Sequence, residues 1–385
     1  MADDYARHAL SQRAAFEATH PAALAGARMF AAEPVLRVAD LGAADGVNSH
    51  GLIRNLIEER AGRALVYALV DLPTNEWRVA AEHLRHTFSG PEDRVVVVPT
   101  RSETDPGVAD AGTGPHYASP EAHGDGCRRA LEHNPSPATV ISLAGIPLQQ
   151  APCLPAESVH VAVTGTAMHW IADAAGLAST GSVFPGYPDH EDEAERRAWR
   201  ETAARQWERL LELRAIELAP GGRFIAALPA SPAPCPDKTG VYAELIGDMN
   251  RLLADWRRAG RVGAETVAAL VVPVWQRTLE EIREPFDARG GSIAGLELEH
   301  VELFRLDNPY WDDDPAVFAR RYVRSVAAWG RPLLLRGFAR EGEDCAPGLL
   351  ADFLAELEQR VAQDPDRHRW DYIEALIICG KLGGV

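Results

Sequence analysis

The stretch "VADLGAADGVNSHG", Val38 to Gly51, runs an apolar segment into an acid, Asp40, and then into a turn carrying Gly42 and Gly46. Glycine past the end of a strand lets the backbone turn tightly, and a second one permits close approach of backbone to a ligand. The stretch therefore has the form of a nucleotide-binding turn. Its spacing is G-x-x-x-G and lacks the third glycine of the dinucleotide fingerprint. Asp45 inside the turn also opposes a pyrophosphate, which favours helix-terminal amides without an acid beside them. A nucleoside cofactor that carries no phosphate suits it better, with Asp40 available to an ammonium or a bound water. The next apolar run, "RALVYALVDL", ends in Asp71, where a carboxylate can accept both ribose hydroxyls. Aspartates at strand ends also serve as helix N-caps, so either residue alone is weak; the pair at the ends of adjacent strands is the signal.

These residues need a parallel sheet to hold them. "VLRVADL" reads as a strand, Asn48 to Arg60 as a helix and "RALVYALVDL" as a second strand, followed by a helix in "NEWRVAAEHLRHTF" and a strand in "RVVVVPT". Such alternation is what a doubly wound α/β sheet produces. Residues 101–137 are rich in Gly, Pro, Ser and Asp and read as an insertion, a lid or a surface segment. "ATVISLAG" and "SVHVAVTG" restore strands, a long charged helix spans about Glu191 to Leu218, and "PGGRFIAALPA" is a turn feeding a strand. From Lys238 onward the pattern is mainly helical, including "AETVAALVVPVWQRTLEEIREPF" with Pro273 as a local break. "LELEHVELFRL" is a strand, and the closing "DYIEALIICGKL" is a helix end or an edge strand. This divides the chain into an α/β core with an active-site segment at its N-terminus (1–237) and a helical, substrate-binding cap that returns to the core (238–385).

Composition narrows the function. The chain has 385 residues and a net charge of −17, which disfavours a nucleic-acid backbone as partner. No signal-peptide pattern or membrane-length apolar run is evident, so a cytoplasmic enzyme is expected. The five cysteines, Cys127, Cys153, Cys235, Cys345 and Cys379, are scattered without metal-ligand spacing, so neither a disulfide scaffold nor a metal site is expected. His83 and His86 lack the glutamate of a hydrolytic zinc helix and read as solvated helix residues.

Further on, "VTGTAMHWIADA" follows the fifth apolar run. Taken in order with "DYARHALSQ", "VADLGAADGVNS" and "VDLPTNEW", it resembles the salicylate, benzoate and theobromine (SABATH) family of S-adenosylmethionine-dependent methyltransferases over nearly the full length. The resemblance implies a Rossmann-like class I methyltransferase sheet with a mainly helical C-terminal cap, S-adenosyl-L-methionine as cofactor, and a homodimer. Carried over by motif, Tyr5 covers the cofactor, Asp40, Gly42 and Asn48 line its methionine part, Asp71 holds the ribose and Leu72 packs by the adenosine. Ser142 and Leu143 match a Ser-Phe pair beside the adenine. Gln12 touches the substrate carboxylate, and His169 and Trp170 match the family's His-Trp pair, whose indole donates to that carboxylate. A lone tryptophan would otherwise read as core or surface aromatic.

The sequence departs from the family at Ala43, Ala44 and Asp45, which replace small Cys and Ser residues, at His8 and Ala9, and at Thr166, where many members have a tyrosine bordering the substrate. The expected reaction is methylation of a small organic acid's carboxylate, with Gln12 and Trp170 holding the acceptor and S-adenosylhomocysteine released. An ionised carboxylate needs no general base, and the sequence shows no evident one. N-methylation of a small heteroaromatic metabolite is the nearest alternative. A binding protein retaining the methyltransferase form and a dehydrogenase are the more distant ones.

Overall fold

Six of the apolar runs become parallel strands of one sheet. The computed structural model describes residues 8–60, 62–72, 75, 77–90, 95–98, 120–132, 139–185, 192–232, 243–369 and 372–383. The strands are β1 (Val35–Leu41), β2 (Ala64–Asp71), β3 (Val95–Val98), β4 (Thr139–Gly145), β5 (Val159–Gly165) and β6 (Leu218–Pro229). They are followed by β7 (Ser292–Ile293), β8 (Leu296–Leu306) and β9 (Tyr372–Lys381). The spatial order is β3-β4-β2-β1-β5-β6-β9-β8-β7, with parallel pairing from β3 to β6 and antiparallel pairing from β6 to β7. Parallel strands covered on both faces are apolar throughout, and β2 and β4 are buried over nearly their whole length.

β1 lies between β2 and β5, so the chain leaves β1 in one direction along the sheet and returns on its other side. The connections after β1 and β5 run to opposite sides, the arrangement at which open α/β sheets bind ligands. One sheet face is covered by α1 (Leu10–Met29), α2 (His50–Arg60) and α3 (Trp77–Thr87), which bury Phe16, Leu52, Ile53 and Leu84 against it. The other carries Trp207 and Leu210 of α5 (Glu193–Glu217) and Ile282 and Phe286 of α8 (Leu279–Asp287). A separate apolar core joins α6 (Ala243–Arg258), α7 (Ala264–Ala269), α9 (Pro315–Phe338) and α10 (Ala346–Gln363). These helices form the cap.

Local chemistry explains where several helices begin. Asp192 accepts from the amides of Ala194 and Glu195 at the start of α5, Asp314 does the same for Ala316 and Val317 ahead of α9, with Pro315 at its first position, and Thr278 and Glu281 form a capping box on α8. Each satisfies amides that the first turn cannot. α1 has no side-chain cap. Instead the buried Tyr310 hydroxyl donates to the carbonyl of His8 (2.7 Å) and accepts from the amide of Ser11 (3.4 Å).

Three expectations need correction. Part of the 101–137 segment is helical: α4 spans Pro120–Glu132, whereas residues 101–119 and 133–138 lie outside the described residues. The stretch 270–278 is extended rather than helical, because it pairs with the loop after β5 through a Trp170–Val274 bridge. Finally, "DYIEALIICGKL" forms neither a helix nor an edge: β9 lies between β6 and β8 and is buried along most of its length. The "PGG" turn falls within β6 as a break in its register with β5, which jumps from Val159–Leu218 to Val161–Arg223.

Gly165, the last residue of β5, lets α1 sit directly on the strand end: a Cβ there would lie 2.8 Å from Cβ and 3.1 Å from Cα of Phe16. Gly165→Ala is expected to destabilise the protein by about 1–3 kcal/mol through overpacking, read as a lower urea midpoint with an unchanged slope.

Candidate active site

Asp40 and Asp71 stand at the ends of adjacent parallel strands, β1 and β2. Asp40 is 3% exposed and accepts hydrogen bonds from Ser49 Oγ (2.5 Å) and Tyr67 OH (3.2 Å), both on its Oδ2. Burial pushes its pKa up to about 7, with the two hydroxyls opposing the rise and the Asp71 charge adding to it. Asp71 takes one backbone amide on each oxygen, Ala44 on Oδ2 and Leu72 on Oδ1, both at 2.6 Å. Its carboxyl is thereby oriented, with a second acceptor site left on each oxygen. Burial raises its pKa too, against those two amides. Beside it Leu72 is 51% exposed, an apolar side chain left uncovered at the rim.

The turn between these acids is built by Gly42 and Gly46, both at positive φ (86° and 75°). Their missing side chains face protein. A Cβ on Gly42 would lie 2.2 Å from Cβ of Ala167, and one on Gly46 2.6 Å from Cδ2 of Leu69. Gly46 therefore serves packing, where the sequence suggested ligand approach. Asp45, 5% exposed, accepts from the amide of Val47 (3.2 Å) and so braces the turn from inside the fold. His83 is half-buried and exerts its influence on Asp45, which departs from the solvated role read in the sequence; His86 is exposed. Asn48 accepts from Arg13 Nε of α1 (3.3 Å), which ties the turn to the N-terminal helix.

Ser142 and Leu143 are not at the rim. Both lie within β4, paired with Ala68 and Leu69, and they are 1% and 0% exposed, Leu143 in the core under α2 and α3. Motif matching placed them by strand content; the register shows that Ile146 and Leu148 come after the strand end, with Ile146 N bonded to the Asp71 carbonyl (2.9 Å) and Leu148 within reach of Gly42. Tyr5 lies outside the described residues.

Gln12, Thr166, His169 and Trp170 come together around one cleft. Gln12 arrives on the first turn of α1, which Tyr310 holds; its Oε1 accepts from Ser11 Oγ (3.0 Å), leaving Nε2 as its donor. The other three follow β5. Thr166 has φ 56°, a strained value for a β-branched residue, and it is held by its amide's bond to the Ala227 carbonyl (2.8 Å). The loop is clamped further by Ile171 N to Pro273 O (2.7 Å), Trp275 N to His169 O (2.9 Å) and Gln206 Nε2 to Trp170 O (2.6 Å). Trp170 meets Trp329 of α9 edge to face, with centroids 6.4 Å apart, and Trp329 meets Phe184 in the same way.

Sequence reasoning missed much of this wall. Val272, Val274 and Gln276 contribute alternate side chains from the extended 270–278 segment, and Tyr372 and Glu374 do so from β9. The i, i+2, i+4 spacing of the first three was a strand signal, overridden by the flanking helical patterns. Nothing local marks Glu374.

Glu374 Oε2 and His169 Nδ1 are buried in the cleft without a hydrogen-bond partner among the described residues. Burial drives Glu374 well above the usual carboxyl range, with no charged neighbour contributing. His169 is pushed down to about 3 by burial and then by the Arg277 charge, against a backbone bond at Thr166. Arg277, 2% exposed, donates to the carbonyls of Met168 (3.3 Å) and Ala203 (2.9 Å) and lies over the Trp207 ring. It thus holds the loop from behind while keeping His169 neutral. Among the described residues no cluster of His, Cys, Asp and Glu is arranged to hold a metal, and no helix is long and apolar enough to cross a membrane.

No family model and no curated protein matches the chain. Among solved structures, loganic acid methyltransferase with SAH aligns over 99% of this chain and 96% of that one, with a TM-score of 0.69 at 16% identity. The fold is that of a class I methyltransferase. The cyclase SpnF aligns at a TM-score of 0.40 (12% identity, 96% of this chain, 82% of that one), and the cyclopropane synthase MmaA2 from Mycobacterium tuberculosis at 0.38 (10% identity, 90% and 79%). The two groups of residues meet at one contact: Gly42, in the turn after β1, packs against Ala167, in the loop after β5 that carries Thr166, His169 and Trp170.

Asp40 supplies a pH test. Its folded pKa of about 7 lies above its ordinary value of 3.8, so its contribution to stability is fully present below about pH 4 and is lost as pH rises through about 7. In ligand-free protein, the thermal midpoint of Asp40→Asn should gain on wild type between pH 4 and 7; a constant difference across that window would reject the assignment.

Proposed function

We propose that this chain is an S-adenosylmethionine-dependent O-methyltransferase that converts the carboxylate of a small organic acid to its methyl ester. One observation carries the reading: the turn after β1 and the acceptor loop after β5 touch at Gly42 and Ala167, which sets the acid-rimmed turn beside the cleft lined by Gln12 and Trp170. The SABATH-like order of motifs and the likeness to a structure named as a loganic acid methyltransferase support it.

The residues present fit the cofactor. Asp71, oriented by two amides, has acceptor capacity for the two ribose hydroxyls, and exposed Leu72 offers an apolar face to the adenosine. Asp40 and the turn at Gly42 and Asn48 would hold the methionine part, its ammonium favouring the ionised form of Asp40. Bound there, S-adenosylmethionine supplies an activated sulfonium methyl group. What the chain must do is orient the acceptor and exclude water. Gln12 Nε2 and the Trp170 indole are donors suited to one carboxylate oxygen, leaving the other free to attack. Trp329, Phe184, Val272 and Val274 wall the cleft with apolar surface, and Thr166, in place of a bulkier aromatic, leaves room for the acceptor body. The cap, residues 238–385, takes the substrate-binding role, with β8 and β9 returning to the sheet.

The runner-up, N-methylation of a small heteroaromatic compound, gains from one observation: Glu374 places in the cleft a carboxyl that could serve as a base, which the sequence did not reveal. Burial with no opposing charge disfavours its ionised form, which works against a base and so favours the carboxylate acceptor.

Purified protein given methyl-labelled S-adenosylmethionine and a panel of carboxylic acids should form label that mild alkali releases as methanol; base-stable label would point to nitrogen, and none would reject the reading. Asp71→Ala should weaken S-adenosylhomocysteine binding about tenfold or more in calorimetry, and unchanged affinity would remove Asp71 from the site. Trp170→Phe keeps the aromatic wall but deletes the donor, so acceptor kcat/KM should fall about tenfold while cofactor affinity holds.

A further inference from the structure

Glu374 stands out among the cleft residues because it is 1% exposed, its Oε2 has no partner among the described residues, and no ion pair accompanies it. It is carried by β9, opposite Pro229 of β6 and Phe304 of β8, and its side chain lines the cleft together with Gln12, Trp170 and Trp329. A buried carboxyl stripped of water and left unpaired is costly, and no packing need calls for one where leucine would fill similar space. A purely hydrocarbon acid bound among the apolar walls would leave Oε2 unsatisfied. An ionised Glu374 would repel the acceptor's own carboxylate, and a neutral Glu374 offers no counter-charge to a cationic acceptor group. A group that is neutral and can both donate and accept remains.

We propose that Glu374 is a specificity-determining residue that hydrogen-bonds a hydroxyl group carried by the acceptor acid in addition to its reacting carboxylate. The inference rests on the carboxyl-methylation reading and narrows its substrate class to hydroxy acids. The Glu374 O–H and carbonyl oxygen are complementary to an alcohol O–H, and a site built to bond a substrate hydroxyl discriminates against the analogue that lacks it.

The test compares wild type, Glu374→Gln and Glu374→Leu on pairs of acids that differ by one hydroxyl: benzoate with its three hydroxybenzoates, cinnamate with 4-hydroxycinnamate, and cyclohexanecarboxylate with its 3- and 4-hydroxy derivatives. Label transfer is measured as kcat and KM for each. Wild type should favour the hydroxylated member of at least one pair by about tenfold or more in kcat/KM, mainly through KM. Glu374→Gln, which keeps a donor and an acceptor, should retain most of that preference, and Glu374→Leu should abolish it. Affinity for S-adenosylhomocysteine and the thermal midpoint should be undiminished in both; Glu374→Met replaces the leucine variant should that one fail to fold. An equal preference in wild type and the apolar variant, no hydroxyl preference in any pair that wild type methylates, or preference for the matching amino acids overturns the proposal. Wild type that binds S-adenosylhomocysteine yet methylates no acid overturns the carboxyl-methylation reading itself, and is thereby distinguished from failure at Glu374 alone.

Discussion

Gly42 and Ala167 are packed so closely that a side chain on the glycine would lie 2.2 Å from the alanine Cβ. Because β1 and β5 are neighbouring parallel strands whose connections leave the sheet in opposite senses, their C-terminal turns would ordinarily diverge. Close contact at this point keeps them together. The turn that follows Asp40 and the Thr166–Trp170 loop are thereby held in contact at the ends of neighbouring strands. The remaining supports of the site follow from holding this arrangement: Phe16 against Gly165, Tyr310 at the start of α1, Arg277 behind Met168, and the extended 270–278 segment clamped on the loop.

Burial sets the electrostatics. Asp40, Asp71, His169 and Glu374 all have their charged forms disfavoured by loss of water, and they differ in what opposes it. Asp71 has two backbone amides and Asp40 two hydroxyls, bonds that stabilise a carboxylate. Glu374 has none among the described residues, and His169 has a cation nearby. The acids with hydrogen bonds that support a charge are thus at the proposed cofactor rim, while the Gln12–Trp170 cleft combines groups whose charged forms are disfavoured with an apolar wall. Such a division suits an acceptor that brings its own negative charge.

Much of the sheet was legible because its signals are local. Apolar runs of strand length separated by helical periods specify parallel strands, and Asp40, Gly42 and Asp71 sit where such strands end. Gln12, Thr166, His169 and Trp170 were found by motif, and the fold gathers them around one cleft. Ser142 and Leu143 went astray because a motif carries no register; two or three residues along β4 separate the rim from the core. β9 escaped because an interior antiparallel strand, a buried helix segment and an edge strand share one apolar pattern, and only pairing with both β6 and β8 distinguishes them.

By itself the sequence determined the alternating α/β order, the two-glycine turn after β1 and the acid at each strand end, since these depend on residue type and spacing within a few positions. Tertiary structure alone decided that Gly46 serves packing, that Asp45 braces its own turn, that Val272 and Val274 wall the cleft, and that Glu374 lies in it unpaired. Contacts between segments separated along the chain, Gly46 with Leu69 and Trp170 with Val274, set this packing, and burial, which disfavours a charged carboxyl, is a property of the assembled neighbourhood rather than of the residue.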